Sequence, residues 1–568
     1  MNNNLKSRSD RTFDAIVVGT GISGGWAAKE LCERGLKTLV LERGRMVRHI
    51  EDYPTAFSHP WELPYGDELT YKERTEIYPV QSRTGYAVKQ STKHFFVKDS
   101  EHPYIQNKPF LWTRGYQVGG RSLTWGRWAY RRGDVDFATY EMDGVGIDWP
   151  IRYRDIEQWY DYVEKFIGVS GNRDGLHQIP DGIFQPPWEM NCLEKHVKDQ
   201  MAQHFNDRQL TIGRTANLTQ PTGGRGRCMA RNMCRRGCPY GAYFSSNSST
   251  LPAAEVTGNM TLRPHSIVHT ILYDKDRGRA SGVRIVDSET KETIEFYSKV
   301  VFLCASALGS TAILLNSVEE SFPDGLGNGS GELGHNLMDN HFEIGASGRF
   351  DGFRDRYYRG RRPVDVLVPR FQNLDSKTKR SNYHRGFSTY GWAGRQGVGQ
   401  GDPLDFGADF KDSLTTPGEW GMTLLAFGEC LPRHENRVWL NFQNRDEWGI
   451  PKLVVDMEFG ENEREMRKEM VSSSAEILEV SGFRDIRTFD GESPPGFSIH
   501  EMGTARMGND PKTSVLNRWN QMHEIPNIFV TDGACMTANG WGNPSLTYMA
   551  LTARAAKYAV DQLNIGEL

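Results

Sequence analysis

The chain has 568 residues, too many for a single hydrophobic core, so two or three closely joined domains are expected. Its hydrophobic and charged contents are those of an ordinary globular protein, and a net charge of −4 gives no electrostatic basis for binding nucleic acid or an anionic membrane. Aromatic residues make up 11%, with 14 Trp; such rings line sugar pockets but also fill cores, so their number alone assigns nothing.

The N-terminal MNNNLKSRSDR is polar and lacks the apolar segment of a signal peptide. No run reaches the roughly 18 apolar residues that a membrane helix needs. The sequence therefore reads as soluble with no export signal of its own. It is expected in the cytoplasm, or in the periplasm by co-export with a partner subunit.

Residues 13–18, FDAIVV, form a continuous apolar strand that runs into Gly19-Thr-Gly21-Ile-Ser-Gly24. Helical composition follows from Gly25 to Arg34, then a second strand from Thr38 to Leu41 that ends at Glu42. This is a βαβ unit with a dinucleotide fingerprint. Gly19 permits the tight turn, Gly21 lets backbone approach a pyrophosphate, and Gly24 lets helix and strand pack closely. The helix N-terminus supplies amides and a positive dipole end, and Glu42 is placed to hydrogen-bond ribose hydroxyls.

Further along, CMARNMCRRGCPYGAYF sets Cys228, Cys234 and Cys238 in a C-x5-C-x3-C array. Three close thiols suggest a redox metal centre and a route for electrons out of the protein. Zinc would want a fourth ligand, and no histidine lies between residues 205 and 264. A four-iron cluster usually needs four thiolates, with Cys192 the one nearby spare, whereas three suit a three-iron cluster. A disulfide with one free thiol, or three free thiols, are the alternatives. Arg227, Arg231, Arg235 and Arg236 would offset an anionic cluster, dock an acidic partner, or simply be surface arginines. Cys32, Cys304, Cys430 and Cys535 read as buried structural thiols.

A second strand-to-helix unit spans Lys299–Ser317, and a third has a strand at Ile528–Thr531, a turn at Asp532-Gly533 and an amphipathic helix at Leu546–Leu563. Nucleotide-domain pieces thus recur at the start, middle and end of the chain. The Arg- and Tyr-rich residues 352–362 and the Gly-rich 396–408 read as loops.

Together these pieces resemble the glucose–methanol–choline (GMC) oxidoreductase family over nearly the whole chain. Arg114-Gly-Tyr-Gln-Val-Gly119-Gly120-Arg-Ser122-Leu-Thr124-Trp125 looks like its flavin-contacting loop, and Ala305–Leu315 like its second signature. His500-Glu-Met-Gly-Thr-Ala-Arg-Met-Gly508, Val530-Thr-Asp532-Gly533 and Asn543-Pro-Ser-Leu-Thr547 resemble its catalytic block. The last of these is nearest pyranose 2-oxidases and bacterial sugar dehydrogenase large subunits. Pyranose oxidases carry a flavin-linking histidine in the first loop; Thr124 stands there, which implies non-covalent FAD. The cysteine array is similar to that of FAD-dependent glucose dehydrogenases, which carry a [3Fe–4S] cluster, and fits glucoside 3-dehydrogenase large subunits. Met229 replaces a further cysteine of the glucose dehydrogenase pattern, so a disulfide made by that cysteine cannot exist here.

The resemblance implies an α/β fold: a Rossmann-like FAD-binding domain (1–50, 110–140, 246–345, 491–568) and an α+β substrate-binding domain built from inserted segments (51–109, 141–245, 346–490). It places Gly119, Gly120, Ser122, Thr124, Trp125, Val268, Ala305, Asp532, Gly533 and Asn543 at the cofactor with Gly19, Gly21, Gly24 and Glu42. It makes Cys228, Cys234 and Cys238 the cluster ligands and His500 the catalytic base. Histidine suits that task because its ordinary pKa lies near neutrality, and Asn543 would steady the same substrate oxygen. His523 is a poorer candidate. Small Gly540 and Gly542 around Trp541 suggest room for a ring-sized substrate, with Trp541 either stacking on it or packing structurally.

The expected activity is oxidation of a secondary hydroxyl of a sugar or glycoside, with pyranose C3 favoured. Electrons would leave through iron–sulfur to a cytochrome c-type acceptor or quinone, with a small subunit as partner. The alternatives are an oxygen-using pyranose-type oxidase with structural cysteines and a non-catalytic flavin-binding protein; intact His500 and Asn543 weigh against the last.

Overall fold

The computed structural model describes residues 9–84, 87–356, 362–395, 406–415 and 417–568. Most of the Gly-rich 396–408 stretch, and residues 357–361 of the Arg-rich one, lie outside these.

The first strand, Thr12–Val18, is fully buried from Ala15 to Val18, as a central parallel strand covered on both faces must be. It pairs in parallel with Thr38–Leu41 on one side and Thr293–Leu303 on the other. Met260–Arg263 extends the sheet beyond Thr38–Leu41, and the antiparallel hairpin of Ser266–Asp274 and Arg279–Asp287 closes the opposite edge. Thr293–Leu303 is shared: its start pairs with Arg279–Asp287, and its last residues pair with Ile528–Val530. Buried Asn527 fills that fork, donating to the carbonyls of Ala280 and Lys299 and accepting from the Ala280 amide at 2.7–2.9 Å.

Helices Ile22–Glu33 and Ser545–Asn564 pack on each other through Ala27, Ala28 and Leu31 against Ala555, Ala556 and Ala559. The first helix starts at Ile22 rather than Gly25, because the glycine turn runs straight into it. The expected middle unit is Thr293–Leu303 followed by the helix Ala307–Asn316.

A second, six-stranded sheet is antiparallel throughout. Its order is Arg484–Asp490, His341–Phe350, Trp420–Gly428, Phe387–Arg395, Val366–Val368, Thr211–Ile212. Its strands alternate. Trp420, Met422, Leu424 and Ala426 join the core under helices Cys192–His204 and Glu461–Val480, while Thr423 and Leu425 face the other way. Strand His341–Phe350 of this sheet straddles the expected domain boundary at 345. A small third sheet joins Ile105–Gln106, Arg437–Arg445 and Pro451–Asp456. Among the described residues no helix is long and apolar enough to cross a membrane.

Candidate active site

A cavity of about 1460 Å³ is walled by both large sheets and runs from the glycine turn to His500 and Asn543. Of the residues expected at the cofactor, Gly19, Gly21, Glu42, Gly120, Ser122, Thr124, Trp125, Val268, Ala305, Asp532, Gly533 and Asn543 line it. Gly24 and Gly119 stand behind the wall.

At the nucleotide end, Gly19 has φ +97°, and a Cβ there would meet the Cys304 carbonyl oxygen at 2.4 Å. A Cβ on Gly24 would meet the Gly19 carbonyl oxygen at 2.0 Å, so strand and helix touch only because both positions lack side chains. Helix Ile22–Glu33 begins with no side-chain cap, and Gly21, Ile22 and Ser23 face the cavity. Its first amides and positive dipole end are therefore offered to an anion. Buried Glu42 is braced from both sides: the Thr20 amide (3.2 Å) and hydroxyl donate to Oε2, and the Gly44 amide donates to Oε1 at 3.0 Å. Burial raises its pKa despite these donors. Asp532 is held by the Ser310 hydroxyl at 2.5 Å and the Ala534 amide at 3.0 Å, and burial pushes it up to about 6.

At the other end the imidazole of His500 is gripped at both nitrogens. Nδ1 lies 2.8 Å from Asn340 Oδ1, and Nε2 lies 3.1 Å from Asn543 Nδ2. The Asn340 amide nitrogen donates to the carbonyls of Gly428 (2.9 Å) and Gly540 (3.0 Å), so its Oδ1 can only accept. The proton is thereby fixed on Nδ1, and Nε2 carries the lone pair. Tyr390 donates its hydroxyl to Asn543 Oδ1 at 2.8 Å, which keeps the Asn543 amide nitrogen turned toward the histidine. The His500 backbone is pinned by its own amide donating to Asp339 at 3.0 Å; the Gly496 amide (2.7 Å) and Ser498 hydroxyl also donate to that carboxylate. Burial pushes Asp339 up to about 6. Burial first, then the Arg121 and Arg132 charges, hold His500 down to about 3, so it stands neutral at ordinary pH.

Sequence models of GMC oxidoreductases match residues 13–342 and 432–552. The chain belongs to the GMC oxidoreductase family. Members bind FAD and act on CH–OH groups of sugars and alcohols, and this protein is an oxidoreductase of that kind. It is 29% identical to 2-methyl-1,2-propanediol dehydrogenase of Mycolicibacterium austroafricanum over 98% of this chain and 96% of that protein. It is 25% identical to the fructose dehydrogenase large subunit of Gluconobacter japonicus over 99% and 100%, so both alignments are end to end. The structure of pyridoxine 4-oxidase from Mesorbium loti shares the fold, with a TM-score of 0.61 at 17% identity over 96% of this chain and 99% of that one.

The residues of this GMC oxidoreductase fit FAD on their own terms: an uncapped helix start, the braced Glu42 and a neutral histidine open onto one cavity.

The cysteine loop forms another part of the same wall. Cys228 and Cys234 line the cavity, Cys238 does not, and all three thiols are free. Burial raises the Cys228 thiol, with Cys234 and Cys238 near enough to add to it. Among the described residues, however, no group of three or more His, Cys, Asp and Glu is gathered to hold a metal ion. Cys192 opens the helix Cys192–His204 and packs on the second sheet, which removes it as a spare ligand. Arg231 donates to the Ala56 carbonyl, and Arg236 donates to the Ser58 carbonyl at 3.1 Å. These two arginines therefore fasten the cysteine loop to the 56–58 segment. Cys32, Cys304, Cys430 and Cys535 are buried, as read from their contexts.

At the substrate end one expectation is corrected and one open alternative is decided. A Cβ on Gly540 would press on the Arg132 guanidinium at 3.0 Å, so this glycine makes room for protein, while one on Gly542 would meet Tyr130 at an ordinary 3.4 Å; neither glycine lines the cavity. Trp541 is 2% exposed with its ring 5.8 Å from that of Tyr130, a packing residue. His523 bonds to Ser514 at 3.0 Å away from the cavity. Asp339, Asn340 and Tyr390 escaped the sequence reading. A polar Asp-Asn pair between apolar Met338 and a strand was the available signal for the first two, while Tyr390 gave none.

Proposed function

We propose that the protein is an FAD-dependent dehydrogenase oxidising a secondary hydroxyl of a sugar or glycoside, with pyranose C3 the favoured position. The observation that carries the reading is a neutral His500 whose Nε2 lone pair meets the Asn543 amide nitrogen at 3.1 Å on the cavity wall. A substrate hydroxyl that replaces this contact would donate its proton to Nε2 and accept from Asn543 Nδ2. The base takes the proton, and the amide and the Asn340-held ring steady the alkoxide as it forms. FAD, when bound, supplies the two-electron acceptor for hydride from that carbon.

The helix start at Gly21–Ser23 would hold the pyrophosphate and Glu42 the ribose, and Thr124 offers no imidazole for a covalent link, so the cofactor is non-covalent. Aromatic Trp128, Phe342 and Phe427 on the cavity wall suit the apolar face of a sugar. The C3 preference rests on the likeness of the motifs to glucoside 3-dehydrogenase large subunits.

Electron exit through an iron–sulfur centre to a cytochrome or quinone, with a small subunit, rests on the C-x5-C-x3-C spacing and on the relative that is itself a large subunit. As arranged, the three thiols do not make a metal site among the described residues. That the thiols are not gathered as a metal site among the described residues favours a second reading, an oxygen-using pyranose-type oxidase with structural cysteines. Anaerobic bleaching of the flavin with a panel of sugars and glycosides, followed by identification of the carbon that becomes a ketone, tests the main reading. Iron analysis and the peroxide yield in air separate dehydrogenase from oxidase.

A further inference from the structure

The second sheet carries a ruler leading away from the reacting centre. Ser388 pairs with Phe427, Tyr390 with Leu425, and Trp392 with Thr423; Leu425 pairs on its other side with Gly345, and Thr423 with Ser347. Because side chains two residues apart share a face, these are three successive rows on one side of the sheet. The innermost row touches the catalytic pair: the rings of Phe427 and His500 lie 6.0 Å apart. The middle row reaches it too, through the Tyr390 hydroxyl on Asn543 at 2.8 Å. The outer row, Trp392 and Thr423, is two residues further along the strands, roughly 7 Å away. That step is about the width of one sugar ring.

Exposure follows the rows. Phe427 is 6% exposed and Tyr390 1%, but Trp392 is 38% exposed while still lining the same cavity as His500. Thr423 and Asp365 line the cavity as well. The register that sets Val366 opposite Gly391 puts Asp365 opposite Trp392. The Thr423 hydroxyl makes no hydrogen bond among the described residues. A large apolar face beside a spare hydroxyl is a combination that binds a sugar ring, whose C–H face is apolar and whose rim is polar.

We infer that Trp392 and Thr423 form a distal subsite that takes the second ring of a glycoside, a sugar or a ring-sized aglycone, while the first ring presents its hydroxyl to His500 and Asn543. The inference rests on the sugar dehydrogenase reading above and deepens it: the preferred substrates have two rings.

The test uses the FAD-loaded enzyme with two-ring substrates (cellobiose, trehalose, phenyl β-glucoside) and one-ring substrates (glucose, methyl β-glucoside). Trp392→Ala should raise KM for the two-ring set by about tenfold, equivalent to roughly 1.4 kcal/mol, with kcat unchanged. KM for the one-ring set should stay near that of the unaltered enzyme. Trp392→Phe keeps a ring and should give a smaller rise of the same selectivity; it decides the matter if the alanine variant fails to retain FAD. Equal effects on both sets, or none on either, overturn the subsite and leave the sugar dehydrogenase reading standing. If no sugar bleaches the flavin of the unaltered enzyme, that reading falls and the subsite falls with it.

Discussion

Asn340 Oδ1 faces His500 Nδ1 at 2.8 Å, and because the Asn340 amide nitrogen is spent on two carbonyls, the contact admits one tautomer of the imidazole. A carboxylate in place of that amide would favour the charged ring, since a negative neighbour raises a histidine pKa. In Asn340→Asp the acid limb of kcat/KM should therefore move to higher pH than in the unaltered enzyme, whose His500 is held down to about 3. Superimposable pH profiles would remove Asn340 from control of the base.

His500→Ala should lower turnover by about 10²–10⁴-fold, the usual contribution of a positioned general base. The FAD content should be unchanged, because the residues around the glycine turn do not depend on that ring. Stopped-flow flavin reduction reads the first effect and the visible spectrum the second. Near-normal reduction in this variant would exclude His500 as the base.

Tyr390→Phe deletes a single hydrogen bond to Asn543 and leaves the base alone. One such bond is worth about 1 kcal/mol, so flavin reduction should slow by roughly fivefold. The stack of ring 390 on Trp128, with centroids 4.2 Å apart, should survive and keep the fold intact. A loss as large as that of His500→Ala would contradict this ranking.

The nucleotide half was legible in the sequence because its signals are local. Ala15–Val18, the glycine turn and Thr38–Leu41 each announce themselves within a few residues. The second sheet was not, since its six strands are scattered between residues 211 and 490 and pair at long range. His341–Phe350, for example, lies between Trp420–Gly428 and Arg484–Asp490. Motifs singled out His500 and Asn543, which the fold brings to 3.1 Å of each other, but gave no sign of Asn340 and Tyr390, whose contacts exist only once that sheet has formed. Gly540 misled for a related reason. Absence of a side chain shows that something comes close but not what, and here it is Arg132.

Acid should destabilise the folded protein through its buried histidines. Burial holds His102 and His500 down to about 3, and His94 and His341 to about 4, against an ordinary value of 6.5. Below about pH 6.5 the unfolded chain takes up protons that the folded chain refuses, so the stabilisation is complete above that pH and is lost on acidification. Asp339 and Asp532, raised to about 6, and Glu429, raised to about 7, act in the opposite sense, costing stability as pH rises from about 4 to 7. Glu42, Asp136 and Glu164 are raised by burial as well, so the histidine contribution is read by difference: His102→Gln should flatten the rise of the urea midpoint between pH 4.5 and 6.5 relative to the unaltered protein. An unchanged pH slope in that variant would contradict this.

The two groups proposed to perform the chemistry, His500 and Asn543, arrive late in the chain and are anchored on the nucleotide half, with Asn543 just ahead of the helix Ser545–Asn564. The cavity wall proposed to meet the rest of the substrate comes from another sheet, through Thr423, Leu425 and Phe427 on one strand and Trp392 on its neighbour. Reaction and selectivity are thus inherited on separate parts of the sequence. Substitutions at Trp392 or Thr423 would reshape that wall without touching His500, Asn543 or the dinucleotide turn, whereas Tyr390 and Gly428 on the same strands are tied to them. Such a division lets one scaffold diversify by small steps, each leaving a working oxidoreductase behind it.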